Sequence, residues 1–179
     1  YNATSNTWTM TGNMTEGRYD HQIAMLNDGR VLVVGGGMGG ENNVTEIYNP
    51  TTGNWTKAAP QPAALTDESV VTLPNGNVLV AGGHTARGPT TLSEIYNPTT
   101  NTWTRTGALN APAGDAGGAL LKNGDILFAG GYTIYNDSNP TIQYLYTSEL
   151  FNTTTNTWKI TGDMNDPRGE IGQNIVILN

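Results

Sequence analysis

Asn27-Asp28-Gly29-Arg30-Val31-Leu32-Val33-Val34-Gly35-Gly36 contains a turn, a strand and a stop in ten residues. The Asp-Gly pair tolerates the positive φ of a tight hairpin. Four consecutive apolar residues follow, and a short run that is apolar at every position rather than alternating reads as a strand buried on both faces. The pattern recurs as Pro74-Asn75-Gly76 before Val78-Leu79-Val80-Ala81-Gly82-Gly83, and as Lys122-Asn123-Gly124 before Ile126-Leu127-Phe128-Ala129-Gly130-Gly131. The doublets lie 47 and 48 residues apart. Hairpins buried on both faces require sheets stacked face to face.

Two further series keep the same phase. Trp8, Trp55, Trp103 and Trp158 are spaced 47, 48 and 55, and each has an aromatic seven residues before it: Tyr1, Tyr48, Tyr96 and Phe151. Between Tyr48 and Trp55, and between Tyr96 and Trp103, stands Asn-Pro-Thr-Thr, whose Pro cannot donate to a ladder and so marks a turn. Each period therefore predicts four short antiparallel strands, here a to d, with the Trp on d. A four-stranded unit repeated at this period is a propeller blade.

This order of turn, glycine doublet, aromatic and Trp resembles the kelch family, in particular secreted bacterial and archaeal kelch-like sequences of the galactose-oxidase type of propeller that read as residues 28 to 36 do. The resemblance covers essentially the whole chain and implies an all-β kelch-type propeller segment, with the Trp and its aromatic packed between blades. Burying an aromatic removes roughly 150 to 250 Å² from water, on the order of 4 to 6 kcal/mol at about 25 cal/mol per Å². The phase predicts the end of one blade over residues 1–14, blades over 15–62, 63–110 and 111–165, and the first strand of another over 166–179. Rings of this class close with about four to eight blades. The expectation is therefore a segment of a larger ring, completed by the remaining blades, or copies that complete one another by exchanging strands.

Composition narrows the partners. With 15 acidic and 8 basic residues the net charge is −7, which opposes nonspecific nucleic-acid binding. The apolar residues are too dispersed for a membrane-inserting helix. Cysteine is absent, which removes disulfides, thiolate metal sites and the Cys–Tyr cofactor that the resemblance to copper radical oxidases would require. Charged residues make only 13% of the chain, whereas Thr (27) and Asn (21) make about a quarter, a balance that points to an extracellular or cell-surface protein.

The d-to-a and b-to-c connections share one face of a blade, and the irregular sequence falls there. The connection over residues 132–147 is the longest and carries Tyr132, Tyr135, Tyr144 and Tyr146, residues suited to stacking on sugars or anchoring a protein. Asp20, Asp67 and Asp115 align where strand a begins, with Glu170 in or near the series, as a ring of carboxylates open to Ca²⁺ or a cationic partner. Arg18 and His21 form a polar cluster beside Asp20, and His84 is the second histidine. Sequons for glycosylation stand at Asn2, Asn13, Asn43, Asn136 and Asn152, with a further one at Asn54 beside Trp55. No cofactor is expected. The leading expectation is a non-catalytic module that binds a protein or glycan through this loop face. The alternatives are a repeat of an extracellular array or filament, and the propeller of a secreted carbohydrate-active enzyme or oxidase; kelch sialic-acid epimerases leave no constellation that can be placed here.

Overall fold

The computed structural model describes residues 1–37, 42–135 and 141–170. In chain order the strands are β1 (Tyr19–Met25), β2 (Val31–Gly37), β3 (Glu46–Asn49), β4 (Asn54–Lys57), β5 (Ser69–Thr72), β6 (Val78–Ala81), β7 (His84–Thr85), β8 (Gly88–Pro89), β9 (Ser93–Asn97) and β10 (Thr102–Arg105). The series continues with β11 (Gly117–Leu120), β12 (Ile126–Ala129), β13 (Tyr132–Tyr135), β14 (Thr141–Tyr144), β15 (Ser148–Asn152) and β16 (Thr157–Ile160). Three antiparallel four-stranded sheets result, β1-β2-β3-β4, β5-β6-β9-β10 and β11-β12-β15-β16. Each is a four-stranded blade. Of the first strand of a fourth expected over 166–179, residues 171–179 lie outside the described residues and 166–170 form no strand, and of the preceding blade only the Asn2–Thr7 bridge is formed.

The core lies between blades. Leu32, Val34 and Ile47 of the first blade pack with Leu65, Val70, Val78, Val80 and Tyr96 of the second. Ala81 and Leu109 of the second pack with Ala113, Ala116, Phe128 and Leu145 of the third. Strand b therefore has no polar face because each of its faces meets a different layer.

The seams are also stitched by backbone hydrogen bonds at repeating positions. The second glycine of each doublet donates across to the next blade: Gly36 to the Leu65 carbonyl at 2.9 Å, Gly83 to Ala113 at 2.9 Å, and Gly131 to Arg168 at 2.7 Å. A positive φ at each doublet glycine turns that N–H out of its own ladder.

The Trp–aromatic pairs stack at 4.9 to 5.2 Å with rings tilted by 44 to 48°. The indoles of Trp55 and Trp103 donate to the carbonyls of Gly12 and Ala59, each four residues past the previous Trp. The resemblance implied buried Trp, and the structure modifies this: Tyr96 and Phe151 are fully buried, but Trp55, Trp103 and Trp158 are half-buried, because strand d lies at the outer rim of the blade. Trp8 is 82% exposed.

Candidate functional site

Asp20, Asp67, Asp115 and Glu170 all hold a left-handed backbone, with φ of 52 to 54°. Asp tolerates this region better than most residues. The shared conformation places Glu170 in the same series, which its sequence spacing left open. The twist has a purpose in packing: it turns the amide sideways, so Asp67 N–H donates to the Asp20 carbonyl at 3.2 Å and Asp115 N–H to the Asp67 carbonyl at 3.1 Å. The acids thus form a backbone chain from blade to blade at the start of the innermost strands.

Their side chains sense one another. The Asp115 carboxyl is pushed up to about 6, first by burial, then by the negative charge of Asp67, with Glu170 and Asp20 acting the same way and His84 opposing them. His84 reaches this cluster because β7 runs back beside the second blade's own d-to-a connection, exchanging both hydrogen bonds with Thr66 at 2.8 and 3.0 Å. Its Nδ1 lies 3.5 Å from Asp67 Oδ2. Its ring stacks on Tyr132 at 4.9 Å, and Gly114 makes room, since a Cβ there would lie 2.0 Å from His84 Cε1. Ligand atoms of Asp67, His84 and Asp115 lie within 4.8 Å of one another. Two oxygens and one nitrogen suit a cation, and the set differs from the all-acid ring predicted from sequence, with His84 replacing Asp20.

Beside this cluster a cleft of about 260 Å³ opens between the first two blades, walled by Tyr19, Gly37, Leu65, Thr66, His84 and Ala86. The Tyr19 ring lies along Gly37, where a Cβ would stand 3.0 Å from its hydroxyl.

Other predicted site residues are engaged elsewhere. Arg18 has a fully buried side chain that pairs with Glu46 at 3.0 Å and donates to the Gly35 carbonyl at 2.8 Å. This corrects its assignment to ligand binding: the guanidinium holds the first seam together and has no access to a ligand. His21 lies half-buried on β1, facing Gly35 across the ladder, and its Nδ1 is enclosed. In the long connection, β13 and β14 form a hairpin that pairs Tyr132 with Tyr144. Tyr132 is half-buried under His84, and burial raises its phenol. Tyr144 and Tyr146 remain 47% and 46% exposed, although one edge of Tyr144 packs over Gly169. The side chain of Tyr135, and Asn136, lie outside the described residues.

The sequons at Asn2 and Asn152 have a structural explanation. Asn2, Asn49, Asn97 and Asn152 each cap the c-to-d turn by accepting the N–H groups two and three residues on, at 2.8 to 3.3 Å. That turn selects Asn followed by Thr or Ser irrespective of glycan attachment. Asn13 and Asn43 are exposed.

One repeating carboxylate went unread in the sequence. Strand c carries a Glu two residues before each aromatic, Glu46, Glu94 and Glu149, and in the first and third blades it reaches the connector seven residues past the previous Trp. Glu46 accepts the Thr15 N–H at 2.7 Å and Glu149 the Asn110 N–H at 3.0 Å, whereas the connector before Glu94 has Pro62, which has no N–H, at the matching place, and neither Glu94 oxygen has a hydrogen-bond partner. Burial raises the Glu46 carboxyl, but Thr15 and Arg18 outweigh it and hold the group low. For Glu94 burial wins: Arg105 approaches only to 3.5 Å, and with Gln61 offsets it in part, so the carboxyl is raised. Pro62→Asn should supply both donors that Asn110 gives Glu149. A charge-assisted bond of about 1.5 to 3 kcal/mol, less about 0.4 to 1 kcal/mol for the lost proline restraint, predicts a gain near 1 to 2 kcal/mol at pH 7. Denaturant melts check this, and an unchanged midpoint would refute it.

Blades of four antiparallel strands, sealed by glycine doublets, make a kelch propeller. The chain belongs to the kelch-repeat family, its residues 1–178 matching the family described as the KLHDC2/KLHL20/DRC7 Kelch-repeats domain. No curated protein matches it in sequence. Among solved structures, the one titled "Structure of YjhT" is similar at a TM-score of 0.81 and 16% identity, over 95% of this chain. The chain spans 63% of that protein's length, and the likeness is one of fold.

Proposed function

We propose that this chain is a non-catalytic interaction module that binds a protein through the face made by its b-to-c and d-to-a connections, at the cell surface or outside the cell. One contrast carries the reading: the two faces of the blades are built differently. On the opposite face every a-to-b and c-to-d turn repeats the same short design, and the turn side chains bond their own backbone, as Asp28 does to Arg30 N–H, Asn75 to Asn77 N–H and Asn123 to Asp125 N–H. On the loop face the b-to-c connections depart from the repeat, although the acids of the d-to-a connections keep it. Two extra hairpins, β7–β8 and β13–β14, rise there beside the cleft, with Tyr144 and Tyr146 exposed. Repeats stay alike where packing constrains them and diverge where a surface recognises something. The sparse charge and abundant Thr and Asn support the extracellular placement.

Exposed aromatics commonly anchor interfaces, with losses of about 2 kcal/mol or more when truncated. Tyr144→Ser with Tyr146→Ser should therefore weaken binding in a screen of surface proteins and glycans by at least about tenfold, with little change in melting temperature. A glycan hit would shift the partner class. Loss of binding on substituting the opposite-face turns instead would overturn the assignment.

A second role is favoured by one observation: Trp8 and Met10 are 82% and 94% exposed. Another blade, from the same protein or a neighbouring copy, would cover them.

A further inference from the structure

The cleft beside His84 has a size, a wall chemistry and a charge at one end that together define an occupant. At about 260 Å³ it falls below the roughly 300 to 1,000 Å³ typical of small-molecule sites. It suits one long side chain. Leu65 and Ala86 give it apolar walls, and the half-exposed Tyr19 ring gives it an aromatic face. Behind its His84 wall lies Asp67, whose Oδ2 is 3.5 Å from His84 Nδ1, with Asp115 in the same group and Asp20 joined to Asp67 through the backbone. Of the residues named on the cleft wall only His84 can be cationic, and Arg18, which would have offset these acids, is enclosed with Glu46.

We propose that this cleft receives an arginine side chain of the protein partner, its stem along Leu65 and Ala86, its guanidinium against Tyr19 and toward the Asp20 and Asp67 carboxylates. This rests on the interaction-module reading and names the partner's anchor. Charge complementarity selects a cation. Arginine fits better than lysine because its planar, weakly hydrated group stacks on aromatic faces and pairs with carboxylates in a fixed fork.

The test uses the full chain and three acetylated, amidated peptides identical except at one central position: arginine, lysine or citrulline, the uncharged isostere of arginine. Titration calorimetry compares the parent with Asp67→Asn, Tyr19→Ala and Asp28→Asn. Asn tolerates the left-handed backbone of position 67, so the seam hydrogen bonds persist in that variant. Asp28→Asn makes the same charge change on the opposite face. The arginine peptide should bind near millimolar affinity, at least tenfold tighter than citrulline and several-fold tighter than lysine. Asp67→Asn and Tyr19→Ala should each weaken it at least fivefold, and Asp28→Asn should not. Equal binding of arginine and citrulline, or equal loss in Asp28→Asn, would overturn the proposal. So would Zn²⁺ or Ca²⁺ binding that requires Asp67, His84 and Asp115 and excludes the peptide, since the occupant would then be a metal ion. If the peptides fail while the Tyr144→Ser, Tyr146→Ser variant still loses its partner, the arginine anchor is wrong and the module reading stands; if that double variant keeps its partner, the module reading fails separately.

Discussion

Gly82→Ala is expected to destabilise the protein by about 2 to 5 kcal/mol. Gly82 closes strand b of the second blade with φ of +67°, a backbone that costs an alanine roughly 1 to 2 kcal/mol. The larger obstacle is space. A Cβ at this position would lie 2.4 Å from the Ala113 carbonyl oxygen and 3.1 Å from Phe128 Cζ. That carbonyl belongs to the next blade and already accepts the Gly83 N–H at 2.9 Å, so it cannot retreat without breaking the seam. Overpacking of this kind adds roughly 1 to 3 kcal/mol. Gly29→Ala is the control: its φ is +83° but nothing lies within 4 Å of the new methyl, so only the backbone cost applies. Denaturant melts separate the two. A Gly82→Ala loss no larger than that of Gly29→Ala would mean the blades are not held as described.

Stability should fall as pH rises from about 5 to 8, and Glu68→Gln should abolish most of that fall. Glu68 follows the left-handed Asp67 and points into the first seam, its carboxyl against Gly35, with both oxygens enclosed and without hydrogen-bond partners. Burial pushes the group to about 8, with Asp67 and Glu94 raising it and Arg18 partly offsetting. The folded chain therefore holds this proton more tightly than the unfolded chain, where the group titrates near 4.5. The stabilisation is complete below pH 4.5 and lost as pH climbs through 8. At about 1.4 kcal/mol per unit the window amounts to several kcal/mol. Glu46, held low by Thr15 and Arg18, acts in the opposite sense, losing stability only in acid. Melts of parent and variant from pH 4.5 to 9 decide: the Gln variant should be the more stable above pH 8, and parallel profiles would show that Glu68 is ionised in the fold.

The same neighbourhood shows what a linear reading misses. Arg18 stands ten residues after Trp8 and next to a Tyr-Asp-His run, which resembles a ligand-gripping cluster. Its spacing gave its place along the blade, but not the side-chain direction, and the direction decided its role. Tyr132 has the composition of a recognition residue and lies under His84 as packing. The sequons at Asn2 and Asn152 follow from turn chemistry that happens to share their pattern.

What the sequence by itself determined is whatever is local and repeated. The Asn-Gly and Asp-Gly turns, the unbroken apolar strands, the doublets and the Trp series each act within a few residues, and their common period leaves a stack of four-stranded blades as the solution that buries both faces of strand b. Tertiary packing alone decided the rest. His84 is 17 residues from Asp67 and 31 from Asp115, and only the return of β7 toward Thr66 brings the three within 4.8 Å. Glu46 and Glu149 each receive an N–H from the connector of another repeat, a partnership that no residue beside them in the chain announces. Such meetings depend on how one blade seats on the next. No short-range pattern encodes them, because the partners share neither a turn nor a strand.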